Sequence, residues 1–509
     1  ILELVIDAEF EQQGLVSDHR PIQLLARWTH GAGQKVQKRP GRVRWRLSAM
    51  TPQVRRDFMG HCESAMTKMA LAAPPASCPL PAWTDALLSS ATNVIGRKRV
   101  FPNSKPWFND AEVQALHDEK RRAGVAVRSV PVHERDAAKV RLASLRKQWR
   151  TLTKRKRREH RESTFRRIER AQGDAPVFSK LWKSHTRSLA GRSGVGSAVL
   201  DAKGEVVCDS VGVLRAWRNY AAKLGRADTV GEELGDNGDR ISSPEQEFDD
   251  EFARQVLAEV ASISIQDGVI PELDRDISWE EVHRAIGSMA AGKAAGSDGI
   301  VVELLQAMGI AAETALARVF NFVWQNLEWP ADWSSAYLLP LFKGDGSKLD
   351  PSNYRLLAIS SVPSKVFEKV LDARIQAWSE RVGLLSDLQG GFRGGRCTVD
   401  QLFALNEITA IRREAGNPSF LAFIDVAKAY DRVWRPGLWF KLQQLGLGGR
   451  CLQMLRAMYA KVTRTVAIHG GYTEEFVVGA GVAPGAVLSS FLYAFYINGL
   501  HKALADTGL

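Results

Sequence analysis

The chain has 509 residues, of which 45% are hydrophobic and 25% charged, and this balance excludes a chain that is disordered throughout. It is long enough for about two to four domains with real cores. The net charge of +12 conceals two blocks of opposite sign. Residues 120–170 hold 19 Lys or Arg against 5 Asp or Glu, whereas residues 228–281 hold 3 against 17. The basic block indicates a polyanionic partner, and the acidic block indicates a solvated or self-masking segment.

Cysteine usage and hydropathy exclude several further classes. The five cysteines form no C-x-x-C pair, so the sequence predicts neither a zinc site nor a disulfide framework and favours a reducing compartment. It contains no apolar run of transmembrane length and no signal peptide at its start. Because the chain begins without Met and ends in a stretch that we expect to be ordered, we expect a fragment of a larger polyprotein.

The first 28 residues are predicted to be a strand, a loop and a second strand. The loop contains the string Ser-Asp-His-Arg-Pro-Ile at residues 17–22. A surface turn would explain this string. It also resembles the C-terminal motif of the endonuclease/exonuclease/phosphatase family, and that resemblance implies that His19 acts on a scissile phosphate while Asp18 orients it. The other ligands of that family would lie before residue 1, so we do not expect this segment to cut DNA by itself.

Residues 29–276 are predicted to be a linker that is basic and then acidic, and partly helical. Residues 139–170 contain no Pro or Gly and are rich in Arg, Lys, Leu and Glu, which predicts a helix. Its most basic run makes it a candidate surface for an RNA or DNA backbone. A solvated helix or a nuclear import signal would also explain this run. The run consists of Lys154, Arg155, Lys156, Arg157 and Arg158.

An ordered region is predicted from residue 277 onward. Ser278 with Glu281 three residues later is a capping box, which marks the start of a helix. A second helix is predicted over residues 311–327, because Phe320, Val323 and Trp324 fall at three- and four-residue spacing. Strands and helices alternate from there to the end, which indicates an α/β or α+β domain.

A run of five apolar residues at 420–424 ends at Asp425 and is followed by Tyr430. Such a run predicts a buried strand, and a carboxylate at its end would reach into a cleft. A carboxylate there is well suited to Mg²⁺, which prefers hard oxygen ligands and shares its coordination with substrate phosphates. An Asp that forms a turn or caps a helix is the alternative.

Seven motifs in one order identify a family. They are similar, motif for motif, to the fingers and palm of non-LTR retrotransposon (LINE-type) reverse transcriptases. They lie at 293–300, 338–345, 353–360, 364–370, 389–400, the Asp425 segment and 481–498.

The resemblance implies a role for each candidate site residue. Asp425 binds the metal, and the ring of Tyr430 lies under the sugar of the incoming nucleotide, where it excludes a 2′-hydroxyl. Lys343 and Arg355 bind the triphosphate, since Arg can fork onto phosphate oxygens. Ordinary surface cations are the alternative for both.

The same resemblance assigns the nucleic-acid contacts. Gly391, Arg393 and Arg396 present backbone and cation to the template, because glycine lets a nucleic-acid backbone approach closely. Gly485 passes close to the template and the nucleotide. We interpret Asp298, in a Gly-Ser-Asp-Gly turn, as structural.

The sequence departs from the family pattern at five positions. Pro484 replaces the usual Gln, Gly499 replaces Asp, and Ser replaces Pro at 297 and 490, as Leu does at 356. Two-metal phosphoryl transfer also needs carboxylates that face Asp425, in this family an aromatic-x-Asp-Asp hairpin after the Gly485 motif. After Asp431 the sequence holds only three scattered acidic residues, so we expect the chain to end before that motif.

These observations predict an α+β protein. Its parts would be the tail of an endonuclease/exonuclease/phosphatase α/β sandwich at 1–28, the linker at 29–276, and right-hand polymerase fingers with a partial palm at 277–509. The predicted function is RNA-directed DNA polymerase activity in target-primed retrotransposition. Mg²⁺, or Mn²⁺ in its place, would be the cofactor, and an RNA template, a DNA primer or target and deoxynucleoside triphosphates would be the partners. We expect nuclear residence, with some protein in the cytoplasm bound to element RNA.

Two alternatives remain. The chain could be a catalytically inactive remnant that binds nucleic acid. It could instead be an RNA-dependent RNA polymerase, which Tyr430 disfavours because an enzyme that accepts ribonucleotides would not place a bulky ring there.

Overall fold

A computed structural model describes residues 4–5, 25–26, 42–71, 77–100, 110–129, 131–170, 198–225, 233–234, 240–241, 250–426, 428–468 and 471–506. The chain divides into two compact units, residues 1–38 and residues 39–509. In the first unit two short strands pair in antiparallel fashion, with Leu4 opposite Ala26. The Asp18 and His19 predictions lie outside the described residues.

The described residues contain many helices and short strands. The strands are β1 Leu4–Val5, β2 Leu25–Ala26, β3 Arg42–Trp45, β4 Arg97–Val100, β5 Val199–Leu200, β6 Val206–Val207, β7 Glu233–Leu234, β8 Arg240–Ile241, β9 Ser335–Phe342, β10 Tyr354–Ile359, β11 Val462–Ile468, β12 Gly471–Tyr472 and β13 Phe476–Val478. The helices are α1 Pro52–Leu71, α2 Leu80–Val94, α3 Ala111–Ser129, α4 Arg135–Arg170, α5 Ser210–Leu224, α6 Asp250–Ser262, α7 Pro271–Asp274, α8 Trp279–Gly287, α9 Val302–Leu305, α10 Ile310–Asn326, α11 Ala331–Ser334, α12 Val362–Arg381, α13 Thr398–Glu414, α14 Arg435–Gln444, α15 Gly449–Ala460, α16 Ser489–Ile497 and α17 Leu500–Asp506.

A mixed sheet of β10, β9, β11 and β12, in that order, forms the centre of the C-terminal half. β9 pairs with β10 in antiparallel and with β11 in parallel fashion, and β13 pairs antiparallel with β11. One face of the sheet packs against α5, whose Trp217 is fully buried beside Tyr354. The other face carries Leu341 and Leu357, which are exposed by 44% and 38%. The sheet therefore has one covered face and one that is open.

The helical core follows the sequence prediction closely. Ser278 and Glu281 make both hydrogen bonds of the capping box, and α8 begins at the next residue, Trp279. α10 spans Ile310–Asn326 and buries Phe320 and Trp324 completely. These helices were predictable because a capping box and an apolar stripe are local sequence patterns that do not depend on a distant partner.

A buried ion pair joins α8 to α12. The guanidinium of Arg374 donates two hydrogen bonds of 2.7 Å to the Glu281 carboxylate and others to backbone carbonyls. Burial alone would raise the pKa of Glu281, but the hydrogen bonds from Arg374 and from the Ser278 amide, with the nearby charges of Arg374 and Arg275, lower it to about 2. The pair thus fixes two helices of the core with a charge that stays ionised.

Two parts of the expected linker belong to the packed core instead. The Trp83 indole of α2 donates to the Ala312 carbonyl at 3.1 Å, and Trp45 donates to Gly299 at 2.9 Å. At residue 225, the carbonyl of Gly225 accepts the Gly479 amide at 2.7 Å. Segments 42–71, 77–95 and 198–225 therefore pack on the region that begins at residue 250. The sequence did not indicate this, because each contact joins residues more than 200 positions apart.

The long basic helix α4 forms an antiparallel hairpin with α3. Residues 138, 142, 145, 149, 152 and 156 recur at three- and four-residue spacing and are less exposed than their neighbours, with Leu145 and Leu152 buried. Lys120 of α3 lies over the Trp149 ring, 3.8 Å from its centroid. The predicted helix over 139–170 is confirmed. In the described part of the chain, no helix is both long and apolar enough to cross a bilayer.

Candidate active site

The β9–β10 hairpin carries the two predicted triphosphate-binding cations. Arg355 lies opposite Leu341 in the register, and the Lys343 amide donates to the Asn353 carbonyl at 2.9 Å, which extends the register by one residue. Alternation places Lys343, Arg355 and Leu357 on the open face. Both cations are exposed, and Lys343 donates its ammonium to the Ser352 carbonyl at 2.9 Å. The hairpin thus presents two positive charges on one face.

The loop at 481–488 lies along the edge of β10. The Ala358 amide donates to the Pro484 carbonyl at 3.1 Å. Gly485 has a φ of +94°, and a Cβ added to it would lie 2.9 Å from Cδ1 of Leu357. Glycine is required here because an L side chain meets both an unfavourable backbone conformation and a close neighbour. The loop therefore closely approaches the face that carries Arg355.

A buried glutamate, which the sequence did not suggest, holds the far end of this loop. The Glu368 carboxylate of α12 accepts the Val487 amide at 2.8 Å. Burial raises the pKa of Glu368, and the hydrogen bonds from the Val487 and Leu488 amides oppose that rise. Its partner lies 119 positions away, so no local pattern reveals it.

A buried arginine holds the approach to the loop. The Arg435 guanidinium donates to the carbonyls of Gly481, Tyr459, Val478 and Ala480 at 2.9–3.1 Å. Burial lowers the pKa of Arg435 to about 10, so the group stays charged at neutral pH. Sequence reasoning gave it no role, because all its acceptors are backbone atoms.

Tyr430 is joined to the same loop. Its carbonyl accepts the Val482 amide at 2.8 Å, and its hydroxyl donates to the Ser490 hydroxyl at 3.3 Å. The ring lies 5.3 Å from that of Tyr493 and 6.4 Å from that of Phe392, centroid to centroid. The structure therefore brings Tyr430 next to the Gly485 loop, as a shared site requires.

The predicted strand before Asp425 is wrong. Residues 417–426 form no helix or strand, and Phe420 and Phe423 are exposed by 92% and 86%. A strand needs a neighbour for its backbone hydrogen bonds, and none of the described strands pairs with this segment. Asp425 is exposed. Burial raises the pKa of Tyr493, and two neighbouring tyrosines and the charge of Asp425 add to that rise.

The carboxylates near Asp425 do not make up a metal site. Among the described residues, no three His, Cys, Asp or Glu side chains come together in a way that could hold a metal ion. Asp431 is the nearest acidic residue in sequence, and burial raises its pKa. A single exposed carboxylate does not provide the ligand set that Mg²⁺ takes from a protein together with its substrate.

In the glycine-rich loop at 389–396, both arginines are paired with carboxylates, which the sequence did not predict. The Arg393 side chain is only 7% exposed and is held by the Glu380 carboxylate at 2.7 Å and 2.8 Å. Arg396 pairs with Asp387 at 2.9 Å. Gly391 is exposed and open, with the Gln389 amide as the nearest atom to an added Cβ, at 3.5 Å. Arg393 thus has a structural role that competes with the predicted template contact.

The basic run of α4 is also partly engaged. Lys156 lies within 4 Å of Asp110, Glu112 and Glu159, and Arg155 binds Glu112 at 2.6 Å. Arg158 pairs with Glu162 at 2.8 Å. These pairs brace α4 against α3 and along its own length. Lys154 and Arg157 are exposed residues, as is Arg158, and nucleic-acid binding by the run stays a prediction.

Asp298 has the structural role that was predicted. Its carboxylate accepts the Ile300 amide at 3.0 Å and the Ser361 hydroxyl at 2.7 Å. Burial raises its pKa, and these two hydrogen bonds oppose that rise. The turn thereby ties the 296–300 segment to the start of α12.

Residues 343–507 match the family described as reverse transcriptase (RNA-dependent DNA polymerase). This part of the chain is therefore a reverse transcriptase domain.

Several similar proteins are polymerases or polyproteins of transposons. The probable RNA-directed DNA polymerase from transposon X-element of Drosophila melanogaster is 31% identical over 42% of this chain and 24% of its own length. The RNA-directed DNA polymerase from mobile element jockey of Drosophila melanogaster is 26% identical over 44% and 24%. A Pol polyprotein from type-1 retrotransposable element R2 of Popillia japonica is 28% identical over 46% and 31%. The chain is thus similar to polymerases of LINE-type non-LTR transposons, and it spans about a quarter to a third of these relatives' own length.

Proposed function

We propose that the chain is the nucleotide-binding part of an RNA-directed DNA polymerase that copies RNA into DNA during target-primed retrotransposition of a LINE-type element. The observation that carries this proposal is the Gly485 loop. It contacts the Arg355 face of the hairpin on one side, through Leu357, and Tyr430 on the other, through Val482. The loop thereby joins residues from three separate motifs.

Each group has a task that its position allows. Arg355 and Lys343 attract the triphosphate of a deoxynucleotide, and their exposure leaves their N–H groups available to phosphate oxygens. The Tyr430 ring, held by Ser490 and Tyr493, supports the sugar and excludes a 2′-hydroxyl. Gly485 leaves room for the nucleotide and the template. Positioning of this kind supplies much of the rate in phosphoryl transfer.

Asp425 is proposed as one carboxylate ligand of a divalent ion, Mg²⁺ or Mn²⁺. Such ions, when bound, stabilise the charge that develops on the transferred phosphoryl group. Since no three His, Cys, Asp or Glu side chains among the described residues come together as a metal site, we assign no step of the reaction to the ion.

The remaining parts of the chain are assigned by the same proposal. The sheet of β9–β13 would be the fingers and the Asp425 segment part of the palm, with an RNA template and a DNA primer as partners. Residues 1–28 would be the tail of an endonuclease, with Asp18 and His19 in its site. The protein would work in the nucleus.

A catalytically silent nucleic-acid-binding remnant is the second candidate, and Pro484 favours it, because Pro stands in place of the family's usual Gln and offers no amide donor. RNA-templated primer extension by the natural protein that carries residues 1–509 separates the two candidates. Incorporation of deoxynucleotides supports the polymerase, whereas template binding without any incorporation supports the remnant. Incorporation of ribonucleotides by the unmodified protein would instead support an RNA polymerase.

A further inference from the structure

The tip of the loop at 389–396 is an aromatic residue in an unusual backbone conformation. Phe392 has a φ of +63°, and it is one of three non-glycine residues with a positive φ in the described ranges. Its side chain is 52% exposed. A bulky side chain adopts this left-handed conformation only when its surroundings impose it, and such strain is concentrated at functional sites.

The neighbouring residues impose it. The Arg393 side chain is largely covered and binds both Glu380 oxygens, and it also donates to the Ser386 carbonyl at 2.9 Å. At the other end of the loop, Arg396 pairs with Asp387. Both arginines follow Phe392 in the chain, and they tie this part of the loop back to residues 380–387, which precede it. The ring itself is not part of either buried apolar cluster of the described residues, so core packing does not explain its position.

The surroundings of the ring are open on one side and aromatic on the other. A Cβ added at Gly394 or Gly395 would meet no atom within 4 Å. On the opposite side the Tyr430 ring stands at 69° to that of Phe392 and is followed by Tyr493. A strand of nucleic acid could thus pass over the glycines and reach the Phe392 ring beside the proposed nucleotide site.

The charges of the loop decide what kind of contact it offers. Both of its arginines are already paired with carboxylates, so the loop has little net attraction for phosphate. The exposed aromatic face remains, and every nucleobase has a π-face that can stack on such a ring.

We propose that Phe392 is a stacking platform for an unpaired nucleobase of the template strand, and that the Arg393–Glu380 pair positions it. The identity of that strand rests on the proposed function. The stacking itself is a property of the loop and can be measured without polymerase activity.

Binding of labelled 12-nucleotide oligoriboadenylate to the 509-residue chain, followed by fluorescence anisotropy, tests the proposal. Phe392→Ala should weaken binding about 5- to 150-fold, the range expected for one lost base stack. Phe392→Trp should keep it. Phe403→Ala removes an equally large ring that is 65% exposed on α13, and it should have no effect. An abasic oligonucleotide of the same length should bind the native chain and Phe392→Ala equally.

Two results would overturn the proposal. One is oligoriboadenylate binding that Phe392→Ala leaves unchanged, or that the native chain lacks altogether. The other is that Phe392→Ala weakens binding of the abasic oligonucleotide as much as binding of oligoriboadenylate, which would indicate a backbone contact or a collapsed loop.

Phe392→Gly separates function from folding. Glycine adopts a φ of +63° without strain, so this variant should unfold at the same or a higher urea concentration while it loses base binding. A midpoint that is lowered alike in Phe392→Gly and Phe392→Ala would mean that the ring is structural and would refute the platform. Base stacking by a natural protein that incorporates no nucleotides would refute the proposed polymerase and leave the platform intact.

Discussion

Replacing Gly485 with Ala tests the contact that joins the hairpin to the 481–488 loop. The backbone at this residue has a φ of +94°, which costs an L-residue about 1–3 kcal/mol. The new methyl group would also lie 2.9 Å from Cδ1 of Leu357, and overpacking of this kind costs about 1–3 kcal/mol more. We therefore expect the free energy of unfolding to fall by about 2–6 kcal/mol.

Urea denaturation of four variants separates the two contributions. Leu357→Ala removes the close contact but leaves the backbone cost, so the double variant should recover about 1–3 kcal/mol relative to additive behaviour. Gly394→Ala is the matched control, because an added Cβ meets nothing within 4 Å there, and it should change stability by less than about 0.5 kcal/mol. If Gly485→Ala were as stable as Gly394→Ala, the loop would not lie against β10 as described.

Two further predictions concern charge. Glu281→Gln should lower the free energy of unfolding by about 3–5 kcal/mol in urea, because it leaves the buried Arg374 guanidinium without its countercharge. In the folded state the pKa of Glu281 is lowered to about 2, so its contribution to the free energy of unfolding is fully present above the ordinary glutamate pKa. This contribution should be lost as the pH falls from about 4.5 towards 2. A Glu281→Gln variant with the same acid-unfolding curve as the native chain would contradict this. A second variant replaces four exposed cations of α4 with Gln: Lys147, Arg150, Lys154 and Arg161. The slope of log K for RNA binding against log salt concentration should become shallower by about 3–4. An unchanged slope would exclude this helix from phosphate contact.

Local signals in the sequence predicted much of this structure. The capping box of Ser278 and Glu281 and the stripe through Phe320 and Trp324 depend on neighbours within a turn or two, and both are confirmed. The requirement for glycine at 485 also follows from the motif, and the structure supplies its physical cause in Leu357.

The failures share one physical reason, which is dependence on distant partners. The apolar run at 420–424 has the composition of a buried strand, yet a strand forms only beside another strand. The ion pair of Arg393 with Glu380 was missed, because Glu380 belongs to the preceding helix; the template contact of Arg393 stays a prediction. Glu368 and Arg435 act on backbone atoms far along the chain, which leaves no pattern in the sequence.

The most direct test of the account is RNA-templated primer extension by the natural protein that carries residues 1–509, with Asp425 replaced by Asn. We expect incorporation of deoxynucleotides that requires a divalent ion and that Asp425→Asn abolishes. It should persist in Asp506→Asn, a control at another exposed carboxylate. Extension that survives Asp425→Asn unchanged would contradict the assignment of Asp425 as a metal ligand and with it the proposed active site.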